Sequence, residues 1–332
     1  MVRPFYRNFI MLKKLKELFP DLVFNRDGEP DPFGEAGAIE VGDTPTPFVP
    51  KSDPGRVFLK DTLRELISFL AKPHGDALYI TGPTGSGKTS LVTEVASRFN
   101  REVFSVTCNS RFEFQSLVGE FRLEAEHPGA IPTMKFQKGP LPLAMERGAI
   151  LLLNEIDLAD AGEIAGLNDV LEGRPLVISQ NGGEIIMPDP DFRFIATGNS
   201  AGGGDETGRY EGVKTMNLAF MDRFRMMVVD YSPAKVEEAL LAKAVPYVRG
   251  FAPQMVKLAN HIRHTFTVGE CSVTMSTRNL LRWARLAQDY RRAQCPLKEA
   301  LRLALLSRTP KHEADSINDQ CRLIFGSENW PN

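Results

Sequence analysis

The sequence predicts an α/β domain built on a five-stranded parallel sheet, followed by a smaller all-helical domain. Two observations carry that expectation. Five short β-prone runs, "ALYIT", "EVFSVT", "AILLLN", "FRFIAT" and "MMVVDY", alternate with helical patterns. Apolar strands separated by helices imply a parallel sheet covered on both faces. After Tyr231 the strands stop, and "SPAKVEEALLAKAV", "NLLRWARLAQ", "LKEALRLALL" and "SINDQCRLIF" read as helices. The chain's 332 residues, 42% hydrophobic and 25% charged, suit one large globular domain or two modest ones.

The elements follow in order. "MVRPFYRNFIMLKKLKELFP" interrupts its apolar residues with Lys and Arg, so it lacks a signal-peptide core and reads as a short amphipathic helix ending at Pro20. Residues 21 to 55 are rich in Pro, Gly and Asp and show no sustained period, which predicts an irregular arm. "FLKDTLRELISFL" then places Leu63, Leu66, Ile67 and Leu70 on one helical face. The expected division is 1–55 for helix and arm, 56–231 for the α/β core and 232–332 for the helical domain, whose first helix starts at Ser232 as N-cap and Pro233 in the first turn.

The strongest chemical signal is "YITGPTGSGKTSLVTEVASRF". Gly82, Pro83, Thr84, Gly85, Ser86, Gly87, Lys88 and Thr89, followed by Ser90, match the GxxxxGK[ST] phosphate loop in full. An apolar strand precedes it, and a helix turning Leu91, Val95, Ala96 and Phe99 inward follows. The glycines let backbone N–H groups curl around phosphate oxygens at a helix N-terminus. Lys88 would reach the β- and γ-phosphates of ATP, and the Thr89 hydroxyl would ligate Mg²⁺.

Further along, "ILLLNEIDLAD" is a buried strand running into an acidic cluster containing Asn154, Glu155 and Asp157. "VISQNGGEIIM" sets two β-prone runs around Asn181-Gly182, the signature of a type I′ hairpin. Asn199 follows "FIAT", at a carboxyl end of the sheet where open α/β folds bind ligands. Arg278 opens a helix whose Leu280, Trp283, Ala284 and Ala287 form an apolar stripe.

In this order the motifs resemble those of the AAA+ ATPases, MoxR branch, and are most similar to the small ATPase subunit of aerobic cobaltochelatase (CobS-like). The likeness runs from roughly residue 55 to 326. It rests on "SLVGEF", "FQKGPLPLAMERGAILLLNEIDLA", "DVLEGRPLVISQNGGEIIMPDPDFRFIATGNS", "GDETGRYEGVKTMNLAFMDRF" and "TMSTRNLLRWA". The resemblance implies that Glu155 polarises the attacking water and that Asn199 is sensor 1. It implies that Arg223 of "MDRF" is an arginine finger, with Arg225 as rival, and that Arg278 is sensor 2. It also implies a homo-hexameric ring, an ATP-driven remodelling or metal-cofactor loading activity, and a partner with a von Willebrand factor A-type domain (CobT-like). Thr89, Asn154 and Asp157 are the expected Mg²⁺ residues.

The family carries an acid where this chain has Asn154. A neutral acceptor in that place should cost on the order of 1–2 kcal/mol at the contact. The expectation is therefore a slow ATPase with a weakened Mg²⁺ grip; the alternative is a nucleotide-gated scaffold with little turnover.

Composition argues against other classes. A net charge of -2 gives no support for broad binding to nucleic acid, so a nucleic-acid motor is disfavoured. No apolar run approaches membrane-spanning length, and Cys108, Cys271, Cys295 and Cys321 are scattered without CxxC pairing. Reduced thiols in a cytoplasmic protein are expected. His261 and His264, three apart near Cys271, read as surface or packing residues rather than a metal site.

Overall fold

The computed structural model describes residues 10–20, 23–35, 37–42, 45–53, 55–125, 127, 131–204 and 212–331. At the amino end β1 (Ile10–Lys14) leads into the single turn α1 (Leu15–Leu18), then β2 (Val23–Phe24), β3 (Ala38–Gly42) and β4 (Phe58–Leu59). β1 pairs antiparallel with β3, Met11 opposite Val41 and Lys13 opposite Ile39. The amphipathic helix expected up to Pro20 is therefore a strand over residues 10–14, and residues 1–9 lie outside the described ones. A strand whose partner comes from the Pro-rich arm leaves no mark in local periodicity. The segment before the arm is packed against the core: Phe19 is buried, with Phe58 at 5.3 Å and Phe99 at 6.1 Å, and the Arg98 guanidinium covers the Phe19 and Phe58 rings at 5.0 Å each.

The core begins with α2 (Lys60–Ala71), which buries Leu63, Leu66, Ile67 and Leu70. Then come β5 (Ala77–Thr81), α3 (Lys88–Arg98), β6 (Val103–Thr107), α4 (Phe114–Val118), β7 (Gly119–Glu124) and β8 (Thr133–Lys138). These are followed by α5 (Pro140–Arg147), β9 (Ile150–Asn154), α6 (Ala161–Ile164), α7 (Asn168–Leu171), β10 (Leu176–Ile178) and β11 (Glu184–Ile186). β12 (Arg193–Thr197), α8 (Leu218–Met221) and β13 (Phe224–Val228) complete the core.

Five strands form one sheet in the order β13-β5-β12-β9-β6, every neighbouring pair parallel. Every residue of β5, β9 and β12 is buried, because apolar clusters lie on both faces of the sheet. β5 lies between strands that follow it much later in sequence, so the loop at its carboxyl end opens beside the ends of β12 and β9. That crevice is where an open α/β sheet holds ligands.

β7 pairs with β8 and β10 with β11 as two antiparallel hairpins. The second differs from the expected two-residue turn. Ile178 pairs with Glu184, and the connection is a 3-10 turn over Ser179–Asn181 followed by Gly182 and Gly183 at φ 65° and 77°. A type I′ turn needs positive φ at both central residues; Asn181 does not have it, so the left-handed pair shifts to the two glycines.

The carboxyl-terminal part is helical: α9 (Ala234–Ala244), α10 (Ala252–Val268), α11 (Thr277–Asp289), α12 (Pro296–Ala304) and α13 (Lys311–Phe325). α9 starts one residue past the expected point, with Pro233 itself as its cap. These helices share a core in which Leu280, Trp283, Ala284 and Ala287 meet Leu301, Phe325 and Trp330. The Trp283 indole N–H is satisfied by the Leu297 carbonyl at 2.8 Å. All four cysteines are buried free thiols. Among the described residues no helix is long and apolar enough to cross a membrane.

Candidate active site

The phosphate loop leaves β5 at Gly82 and enters α3 at Lys88. Gly82 is at φ 146°, and a Cβ there would lie 2.1 Å from the Val229 carbonyl oxygen, so only glycine fits. Gly87 caps α3 without any side-chain hydrogen bond to the first turn. The Ser86 hydroxyl is buried with no hydrogen-bond partner among the described residues. A helix start with uncapped N–H groups and an orphaned hydroxyl fits the phosphate oxygens of a nucleotide. Arg56, just past the arm, approaches this loop, donating to Ser90 Oγ at 2.7 Å and to the Gly87 carbonyl at 3.3 Å.

Lys88 is 8% exposed. Its Nζ donates to the carbonyls of Gly82 at 2.7 Å and Pro83 at 3.0 Å, and to Asn199 Oδ1 at 2.9 Å. All three acceptors are neutral. Burial pulls the Lys88 pKa down to about 8, against the opposing pull of Asp157 and Glu155. The link to Asn199 joins the phosphate loop to the turn after β12.

Thr89 Oγ1 donates to Asn154 Oδ1 at 2.6 Å, and the Asn154 amide donates to Ser105 Oγ on β6 at 2.9 Å. Thr89 and Asn154 thus present two hard oxygen donors side by side at the carboxyl edge. Such a pair fits Mg²⁺, which keeps several of its waters and takes few protein ligands. Asp157, the third residue expected at the metal, is turned elsewhere. It is fully buried, and its Oδ2 accepts from the backbone N–H groups of Asn199 at 2.7 Å and Ser200 at 3.1 Å. It therefore holds the Asn199 turn in place, a role the sequence gives no hint of. Its neighbourhood also raises the Cys108 thiol to about 12, chiefly through burial.

Glu155 follows β9 with its side chain exposed and its backbone left-handed, φ 55° and ψ 42°. Its N–H donates to Thr197 Oγ1 at 3.3 Å. Lys88, Thr89, Asn154, Glu155 and Asn199 thus gather at one edge of the sheet.

Arg223 does not join them. Its carbonyl accepts from Ala77 N–H at 3.1 Å, where β5 begins, which places it at the amino edge. A five-residue strand spans about 16 Å, so the phosphate loop lies beyond the reach of Arg223 in its own chain. Its Nε donates to Glu172 Oε1 at 3.1 Å, and this contact pulls the Glu172 carboxyl below its ordinary range. Arg225 sits at the same edge, donating to the Pro73 carbonyl at 3.0 Å and covering Phe69. Arg278 is exposed in the first turn of α11. Among the described residues no group of three or more His, Cys, Asp and Glu could hold a metal, His261, His264 and Cys271 included. Residues 205–211, within one of the family-like stretches, lie outside the described ones.

Comparison with known proteins gives matches along both parts of the chain. Residues 77–224 match the AAA domain (dynein-related subfamily), and residues 237–320 match the CbbQ/NirQ/NorQ C-terminal family. The chain is 28% identical over 292 residues to the aerobic cobaltochelatase subunit CobS of Sinorhizobium sp, covering 85% of this chain and 84% of that one. It is 29% identical to the denitrification regulatory protein NirQ of Stutzerimonas stutzeri, over 65% of this chain and 74% of that one. With CbbQ of Hydrogenophilus thermoluteolus the identity is 27%, over 56% and 65% respectively.

Proposed function

We infer that this chain, which belongs to the MoxR branch of the AAA+ ATPases and is an ATPase, couples ATP hydrolysis in a six-membered ring to remodelling or metal-cofactor loading of a partner protein. The observation that carries the reading is the split between the edges of the sheet. Lys88, Thr89, Asn154, Glu155 and Asn199 lie at the carboxyl edge, whereas Arg223 lies at the amino edge. A half-site of that kind is completed when the amino edge of one copy faces the carboxyl edge of the next.

In this reading each residue has one role. The uncapped N–H groups of the loop and of α3 bind phosphate oxygens, and Lys88 exchanges its carbonyl partners for the γ-phosphate. Thr89 and Asn154 would hold Mg²⁺, which would supply neutralising charge to the triphosphate. Glu155 takes the proton of the attacking water, and Asn199, steadied by Asp157, orients that water. Arg223 of the neighbouring copy stabilises the charge that develops during transfer, and Arg278 contacts the nucleotide from the helical carboxyl-terminal part, which serves as a lid. The partner carries a von Willebrand factor A-type domain. The likeness to a cobaltochelatase subunit supports a client in metal-cofactor insertion or enzyme maturation.

Steady-state hydrolysis by the full chain tests this. Glu155→Gln should lower turnover by about 10²–10⁴-fold while ATP binding persists. Mixing Arg223→Ala chains with Glu155→Gln chains should restore some activity, because one intact interface forms. No restoration at any ratio would sink the shared site.

Asn154 favours one second reading, an ATP-gated scaffold that assembles and barely turns over. Its neutral amide is already satisfied by Thr89 and Ser105. Wild-type turnover no faster than that of Glu155→Gln would decide for it.

A further inference from the structure

Glu237, in the first turn of α9, is fully buried, and carboxylates are almost never fully buried unless paired. Its two oxygens take the fork of Arg263 on α10, at 2.8 Å and 2.6 Å. Oε1 also accepts from Thr277 Oγ1 at 2.6 Å, at the first residue of α11. Arg263 Nε donates to the Met275 carbonyl at 2.7 Å, just before α11, and its guanidinium stacks on the Tyr231 ring at 4.0 Å. The Tyr231 hydroxyl in turn donates to the Thr84 carbonyl in the phosphate loop at 2.9 Å. Ser276, the N-cap of α11, presses on that same loop: a Cβ on Gly85 would fall 2.5 Å from the Ser276 Cβ.

A buried ion pair is weak evidence for stability, since apolar residues of similar volume often serve as well. What a bidentate pair adds is direction. Here the bonds converge on two places, the start of α11 and the core-to-lid connection at Tyr231. Both of those touch the phosphate loop directly. Arg278 is the residue next to Thr277.

We propose that the Glu237–Arg263 pair holds the start of α11, and with it Arg278, against the phosphate loop, so that both are positioning residues for ATP hydrolysis. This rests on the reading of Arg278 as the lid's nucleotide contact. The pair acts through Thr277 and Met275, and touches neither nucleotide nor water itself.

The test is a cycle of kcat, KM and Tm on the full chain with Glu237→Gln, Arg278→Ala and the double variant. Each single change should lower kcat about tenfold, and the double should be no slower than Arg278→Ala. If Arg278→Ala is impaired and Glu237→Gln slows both backgrounds equally, or shifts only Tm, the proposal is overturned alone. If Arg278→Ala leaves kcat and KM unchanged, the reading of Arg278 falls and the proposal with it. Should Glu237→Gln not fold, Thr277→Val removes one hydroxyl from the same circuit. It should lower kcat severalfold with the same dependence on Arg278; unchanged or additive kcat overturns the proposal.

Discussion

The phosphate loop and the lid each bury a cation, and they treat it in opposite ways. Arg263 in the lid is matched by a carboxylate, with its fork filled by Glu237. Lys88 in the loop is as buried, yet among the described residues its hydrogen bonds go to two carbonyls and an amide oxygen. The lid's charge is closed within the fold, and the loop's charge remains to be answered by an anion. The Lys88 pKa is pulled down because desolvation there outweighs the opposing pull of Asp157 and Glu155. One region uses a buried cation as architecture, and in the proposed mechanism the other keeps it for the nucleotide phosphates.

The contrast can be broken most forcefully in the lid. Glu237→Ala should destabilise the fold by about 3–5 kcal/mol in denaturant unfolding, because it strands a buried guanidinium. Replacing the pair together, Glu237→Leu with Arg263→Met, should recover most of that loss. A double variant as unstable as the single would show that the lid's cation is not simply closed by its partner. The loop should behave in reverse. Lys88→Met should weaken ATP binding by about a hundredfold in calorimetry, as expected for losing a charged contact of about 3 kcal/mol. Its stability should be equal or higher.

Two finer measurements sharpen the loop side. Asn154→Asp should tighten the Mg²⁺ dependence of hydrolysis by about tenfold, from roughly 1–2 kcal/mol at one contact. No faster hydrolysis at limiting Mg²⁺ would show that Asn154 does not detune the site. The pH dependence is the smallest effect. Lys88 has its pKa lowered to about 8, and phosphate should raise it again, so binding takes up a proton above that pH. ATP affinity should fall about fivefold between pH 8 and 9, with proton uptake visible in buffers of different ionisation heat. For the fold alone the sign is the other way. The unfolded chain binds more protons between about 8 and the ordinary lysine value, so stability rises with pH across that window.

What was legible in the sequence was local. The loop "GPTGSGKT" and the five strands announce themselves through composition and spacing, and the apolar stripe of α11 does the same. What was hidden depends on distant pairing. β1 is set by β3 within an arm that has no period. Asp157 clamps the Asn199 turn across 42 positions, and Tyr231 reaches Thr84 across 147. Glu237 and Arg263 look like ordinary helix-surface charges until their helices pack. The hairpin turn at Gly182 misled for a subtler reason, since the Asn-Gly signal assumes a two-residue loop and the register leaves five.

The left-handed backbone of Glu155 has one more consequence. A residue with a Cβ gives up roughly 1–2 kcal/mol to sit there, whereas glycine would do so without strain. Glu155→Gly should therefore yield a sturdier protein without the carboxylate proposed to accept the water's proton. Any directed evolution that scores this chain by heat resistance alone will drift toward silence at position 155. A useful selection must count phosphate released as well as protein surviving.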